Sequence, residues 1–164
     1  FLFQGVYDLN PQEFGLLFGI NAIGIIVGVQ TSARLQKRIG SQWVIAGATL
    51  VQLLAAIIVI VCELAGAGLV GIMIPLWFFI AGCGFNFAAV AALAPGRHGR
   101  SAGTAASVLG AANFGFAGLV SPVVGLFTIT NAIPMAGVMA VAITVGILVL
   151  WIVVRPRTVP PLEP

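Results

Sequence analysis

The 164-residue sequence predicts an all-α polytopic membrane protein. Hydrophobic residues make up 60% of the chain and charged residues 7%, against about 45–50% and about 25% in ordinary soluble domains. Five apolar stretches fill most of the length, and each reaches the roughly 20 residues needed to cross about 30 Å of hydrocarbon. Gly (21 residues) and Pro (9 residues) run through these stretches, as suits membrane helices better than soluble ones. A soluble enzyme is therefore excluded. So is a membrane β-barrel, which would alternate apolar and polar residues over about ten positions.

Residues 1–13 read as the end of a preceding helix and a short outer loop. The first complete span is 14–33, followed by a polar loop at 34–42. The second, 43–62, carries no charge and leads into a turn at 63–68. The third is 69–94, and the loop 95–102 after it holds Arg97, His98 and Arg100. The fourth is 103–127. The fifth, 134–154, opens on Pro134, whose fixed φ and missing N–H fit a first helical position. Residues 155–164 form a proline-rich cytoplasmic tail.

Charge gives the orientation. With five spans, Arg34, Lys37 and Arg38, then Arg97 and Arg100, then Arg155 and Arg157 fall on one side of the membrane, while Asp8, Glu13 and Glu63 fall on the other. By the positive-inside rule the C-terminus is cytoplasmic, in a bacterial-type inner membrane. The net charge of +3 is thus an orientation signal and not a nucleic-acid footprint. Cys62 and Cys83 lie inside apolar stretches without a CxxC pattern or a nearby His, which points to packing and to no metal or cofactor. No nucleophile has a base near it in sequence, so no enzymatic activity is expected. The chain opens on Phe1 with no basic n-region before an apolar core, so no signal peptide is read. Residues 1–7 look like the last turns of an earlier helix, which leaves the bundle one helix short of six and implies a missing N-terminal half. Paired six-helix halves are one known transporter architecture.

The segment from Gly28 through Arg34, Lys37 and Arg38 to Gly40 reads as a basic tight loop between two helices. It resembles the degenerate second copy of the major facilitator signature loop, with Arg38-Ile39-Gly40 best kept. Phe14-Gly15 and Phe18 to Asn21 resemble the eighth helix of the Bcr/CflA-type drug-resistance transporters, Asn86 fits their tenth helix, and 102–110, with Gly103-Thr104-Ala105-Ala106-Ser107, is similar to the opening of their eleventh. The resemblance covers nearly the whole chain. It implies the C-terminal six-helix bundle of a major facilitator fold, with helices seven, eight, ten and eleven around a central cavity and nine and twelve facing lipid. It also implies a proton-coupled exporter of drug-like or small metabolite molecules.

Candidate residues follow from helical spacing and from that resemblance. At 100° per residue Asn21, Gly24 and Gly28 share one face of their helix, while Gly15 and Gly19 lie opposite; both glycine pairs are GxxxG and permit close helix packing. Asn21 sits mid-span, where an unpaired amide is costly, so it is either helix glue or a cavity wall. Pro75, Phe79, Gly82, Asn86 and Leu93 form one stripe, again either an interhelical contact or a cavity wall. On the fourth span Gly103, Ser107, Gly115, Gly118 and Pro122 form a small-residue packing stripe, while Asn113 and Phe116 point away. An amide beside aromatics suits an apolar, planar substrate with a few polar handles. Gln4 and Tyr7 join the cavity candidates from the earlier helix, whereas Gln52 reads as helix glue. Gly28, Arg34, Lys37, Arg38 and Gly40 are the conformational-loop candidates.

The reading is a secondary active transporter whose partners are a small-molecule substrate, protons, the lipid bilayer and its own N-terminal half. A proton relay would use an intramembrane acid, and no complete span carries one; the coupling carboxylate is expected in that other half. A sugar or metabolite facilitator of the same superfamily, or a non-transporting five-span structural subunit, are the alternatives.

Overall fold

A computed structural model describes residues 10–96, 102–125 and 133–154. Among them there are five helices and no strand: α1 (Pro11–Ile39), α2 (Ser41–Leu64), α3 (Gly68–Gly96), α4 (Ala102–Gly125) and α5 (Ile133–Val149), which runs on into a π-helical turn, Leu150–Val154. The fold is all-α and polytopic. Pro11–Ile39, Ser41–Leu64, Gly68–Ala92 and Ile133–Ile152 are long and apolar enough to cross a membrane, and α4 is 24 residues long.

Local chemistry sets the boundaries. The Asn10 side chain accepts from the Gln12 and Glu13 backbone N–H groups at 3.0 and 2.8 Å, while the Asn10 N–H donates to Glu13 Oε2 at 3.0 Å. This capping box satisfies donors that have no partner within the helix, so α1 starts before the apolar run does. At its other end α1 corrects the expected loop at 34–42. The helix continues through Arg34, Lys37 and Arg38 to Ile39, because Arg, Leu, Gln and Lys are all good helix formers. Only Gly40 breaks it, at φ 84°, and α2 begins at once with Ser41. Gly28, named with the conformational-loop candidates, lies well inside α1. The turn after α2 is shorter than expected: Gly66 at φ 66° donates to the Glu63 carbonyl and Ala67 to that of Cys62, the paired bonds of a Schellman end.

α3 is the hub. It packs along both α1 and α2; α5 leans on α2, and α4 touches α3 and α5 only lightly. The interior is built from small side chains, among them Ala46, Ala55, Ala56, Ala81, Ala89 and Ala136, with Val44, Val59 and Ile72. Large apolar residues point outward, Phe18 at 69%, Val70 at 70% and Phe114 at 80% exposure. In water such a surface would be an aggregation site. In lipid it is the expected inversion, because apolar side chains gain nothing by leaving hydrocarbon and small ones let helices approach closely.

Candidate functional site

Gln52 lies on α2 at 1% exposure, surrounded by hydrocarbon. Its amide finds partners on α3. Nε2 donates to the Phe79 carbonyl at 3.2 Å and to Cys83 Sγ at 3.1 Å, and Oε1 accepts from Asn86 Nδ2 at 2.7 Å. Gly82 makes this possible, since a Cβ there would sit 2.5 Å from Gln52 Cγ. The Asn86 amide has a second end, and its Oδ1 is buried without a hydrogen-bond partner.

Beside this cluster a cleft of about 510 Å³ opens among α2, α3, α4 and α5. Gln52, Cys83, Asn86 and Asn113 supply its polar atoms, and Phe87, Val90 and Ile143 much of its apolar wall. The cleft exists because α4 stands off from α3. Its volume falls in the range of about 300–1,000 Å³ usual for small-molecule pockets, and its mostly apolar lining with a few convergent polar groups is also typical. Among the described residues, none that lines it carries a charge. Among the described residues no group of three His, Cys, Asp or Glu gathers as metal ligands. The arrangement can hold an uncharged molecule by shape and hydrogen bonding.

The structure thus brings Asn86 and Asn113 together in one cleft, with Gln52 as a third member. Phe79 meets Gln52 through its backbone carbonyl and does not line the cleft. Asn21 is elsewhere, on α1: its Nδ2 donates to the Leu17 carbonyl of its own helix at 3.0 Å and its Oδ1 is buried without a partner. Gln4 and Tyr7 lie outside the described residues, as do the side chains of Gly103, Phe116 and Pro122 on α4. Ser107, Gly115 and Gly118 are exposed, and among the described residues nothing lies within 4 Å of a Cβ placed on either glycine.

Gly24 and Gly28 belong to the crossing of α1 with α3. A Cβ on Gly28 would run into the Ala81 carbonyl, one on Gly84 into that of Ile25, and one on Gly24 would stand 2.9 Å from Trp77 Nε1. Trp77 Nε1 donates to the Ile20 carbonyl at 3.0 Å across the same seam. For the opposite pair, Gly15 and Gly19, nothing among the described residues lies within 4 Å of an added Cβ. Near the end of α1 a knot ties all three helices: Ser32 Oγ donates to the Phe85 carbonyl of α3 and accepts from Gln36 Nε2, and Ser41 Oγ of α2 donates to Gln36 Oε1, each at 2.9 Å. Sequence reasoning missed this knot; its one signal was Ser32 and Gln36 four residues apart on the buried face, with a serine directly after Gly40. Arg34, Lys37 and Arg38 on the last turns of α1 are exposed and meet no acidic partner among the described residues.

Comparison with known proteins adds the family context. The MFS-type transporter YdgK of Bacillus subtilis, whose own name marks it as uncharacterised, is 27% identical over 157 residues, covering 96% of this chain and 39% of the relative. A bicyclomycin resistance protein homolog of Haemophilus influenzae is 23% identical over 147 residues, 90% of this chain and 37% of the relative. Along nearly its whole length the chain resembles major facilitator transporters. It spans less than two fifths of the length of either relative. No family model matches the chain, and no solved structure does.

Proposed function

We propose that this chain is the C-terminal helical half of a major facilitator transporter that exports small, mostly apolar molecules across a bacterial cytoplasmic membrane. The supporting observation is the resemblance to two transporters over 96% and 90% of the chain, on a bundle whose helices have membrane length and an apolar exterior. One of those relatives is named for bicyclomycin resistance, which favours drug-like cargo over sugars. Export would run by alternating access, this bundle rocking against the other half, with the C-terminus in the cytoplasm.

In this reading Asn86 and Asn113 are the polar contacts for cargo. Gln4, Tyr7, Asn21, Phe79 and Phe116 would line the route, and exposed Arg34, Lys37 and Arg38 would face lipid headgroups or a cytoplasmic helix of the other half. Proton antiport would draw its carboxylate from that half, because no Asp or Glu falls within α2, α3, α4 or α5 except Glu63 at the end of α2.

The experiment is expression of the full-length coding sequence in a bacterial strain stripped of its own efflux pumps. Bicyclomycin and an uncharged fluorescent dye should accumulate severalfold less in expressing cells, and collapse of the proton gradient should restore accumulation. Equal accumulation at verified membrane abundance would remove the export reading, and sugar uptake in the same cells would replace it with a facilitator.

A further inference from the structure

We infer that the Arg38 end of α1 binds an acidic phospholipid, with its phosphate on Arg34, Lys37 and Arg38, an ester group on Gln30 and an acyl chain along Val27 and Ile23. Such a site needs only a membrane-spanning chain, whatever that chain transports. Helical geometry sets these groups in one line. Taking Arg34 as the origin at 100° per residue, Lys37 and Arg38 lie within about 60° of it, Gln30 within about 40°, and Val27 and Ile23 within about 20°. Gly28 and Ser32, which pack on α3, lie about 120° and 160° round the helix. The line is therefore the outward face: Ile23 is 56% and Val27 45% exposed, and Gln30 and the three cations are exposed as well. It exists because α1 stays helical to Ile39; a loop at 34–39 would scatter the charges.

The order along this face matches the depth profile of a lipid. At about 1.5 Å per residue, Gln30 lies about 6 Å below Arg34 and Ile23 about 16 Å below it, close to half of the roughly 30 Å hydrocarbon core. A phosphate level with Arg34 and Arg38 thus leaves its ester carbonyls near Gln30 and a chain on the apolar residues beneath. The chemistry fits at each level. Arg presents paired N–H donors to phosphate oxygens and Lys a point charge. Gln30 has no hydrogen-bond partner among the described residues, and its amide nitrogen can donate to an ester carbonyl. Ile39 and Trp43, 46% and 43% exposed, flank the cations, and Trp is enriched at headgroup level. Charge favours lipid over a helix of the other half. The three cations meet no acidic residue among the described ones, since Glu13 and Glu63 belong to the far ends of α1 and α2. An acidic headgroup layer supplies that counter-charge, with a gain of about fivefold for each Lys or Arg near it.

The test uses the full-length protein in phosphatidylcholine nanodiscs that carry a trace of a probe with a diazirine in its acyl chain, either phosphatidylglycerol or phosphatidylcholine. Adducts are mapped by mass spectrometry. The phosphatidylglycerol probe should label the peptide carrying Ile23 and Val27 and exceed the phosphatidylcholine probe there by roughly tenfold or more. Arg34→Gln, Lys37→Gln and Arg38→Gln should each lower that ratio by about two- to fivefold, and the three together should bring the probes level. Their side chains are exposed, so the bundle does not depend on them for packing. Gln30→Leu should lower labelling by both probes and leave their ratio unchanged; undiminished labelling would remove Gln30 from the site. Free glycerol phosphate should not displace the probe, and displacement would make this a site for soluble phosphate. Equal labelling by both probes, a preference that survives the triple variant, or no adduct on this face, as a covering helix of the other half would produce, would overturn the assignment. Binding is read without transport: labelling as expected in a protein that exports nothing would leave the lipid site standing and remove the transport reading, and export without a lipid preference would do the reverse.

Discussion

Replacing Gly28 by Ala should loosen the α1–α3 crossing. The substitution favours the helix itself by up to about 1 kcal/mol, because Gly loses more backbone freedom than Ala on folding. Against that, the new methyl would meet the Ala81 carbonyl head-on, with the Gly84 Cα at 3.3 Å behind it. Neither obstacle is a side chain that can rotate away, so the helices must part by something on the order of 1 Å to restore ordinary contact. Two hydrogen bonds span the same seam, Trp77 Nε1 to Ile20 at 3.0 Å and Ser32 Oγ to Phe85 at 2.9 Å, and an opening of that size takes both beyond useful range. Overpacking costs about 1–3 kcal/mol, and each interhelical hydrogen bond adds about 0.6 kcal/mol. After the helix gain, a net loss of about 1–3 kcal/mol is expected. The assay is unfolding of the full-length protein by a denaturing detergent in mixed micelles, with Gly47→Ala as the matched control. Gly47 lies inside α2 with nothing within 4 Å, so Ala there should be neutral or stabilising by up to about 1 kcal/mol. If Gly28→Ala proved no more costly than Gly47→Ala, the close crossing of α1 and α3 would be refuted.

Three further outcomes are expected. In a double-mutant cycle of Gln52→Leu and Asn86→Leu, followed by the same unfolding assay, the two residues should couple by about 0.6–1.7 kcal/mol, the range for hydrogen bonds between membrane helices; additive losses would mean that the 2.7 Å contact contributes nothing. Asn113→Leu should alter export or substrate preference at unchanged membrane abundance, because Asn113 is exposed on α4 and lines the cleft; unchanged export would remove it from the cargo path. Cysteines placed at Lys37 and Glu63, after replacement of Cys62 and Cys83, should react with an impermeant thiol reagent from opposite sides of the membrane, since α2 carries the chain from one position to the other. Labelling of both from one side would overturn the orientation.

The number and kind of helices were legible because the solvent selects them: apolar length alone separates a spanning helix from a loop. Helix ends were less so. The segment 34–39 looks like a loop by polarity, yet its residues form helix well and only Gly40 interrupts them. Polarity marks where a chain leaves hydrocarbon, and a helix can continue beyond that point. The site was half legible. Spacing grouped Phe79, Gly82 and Asn86 on one stripe, and all three meet Gln52; that Asn113 faces the same cleft depends on how far α4 stands from α3, which no periodicity encodes. The two GxxxG pairs of α1 show the same limit. Gly24 and Gly28 are in close contact with α3, while among the described residues nothing meets Gly15 or Gly19, and only the placement of α3 tells the pairs apart.

Six consecutive residues, Ala81 to Asn86, explain why α3 is the hub. At 100° per residue Gly82 and Gly84 point about 160° apart, so one admits Gln52 from α2 while the other admits the backbone of α1 at Ile25. Asn86, about 40° from Gly82, falls on the α2 side and therefore reaches Gln52. The Asn86 amide nitrogen thus serves the interhelical contact, and its oxygen is buried without a hydrogen-bond partner. A leucine pair at 52 and 86 would pack α2 on α3 without any unpaired group. What the amide pair adds is a directed bond between α2 and α3, Asn86 Nδ2 to Gln52 Oε1 at 2.7 Å, in a setting of low dielectric where such a bond is stronger than in water.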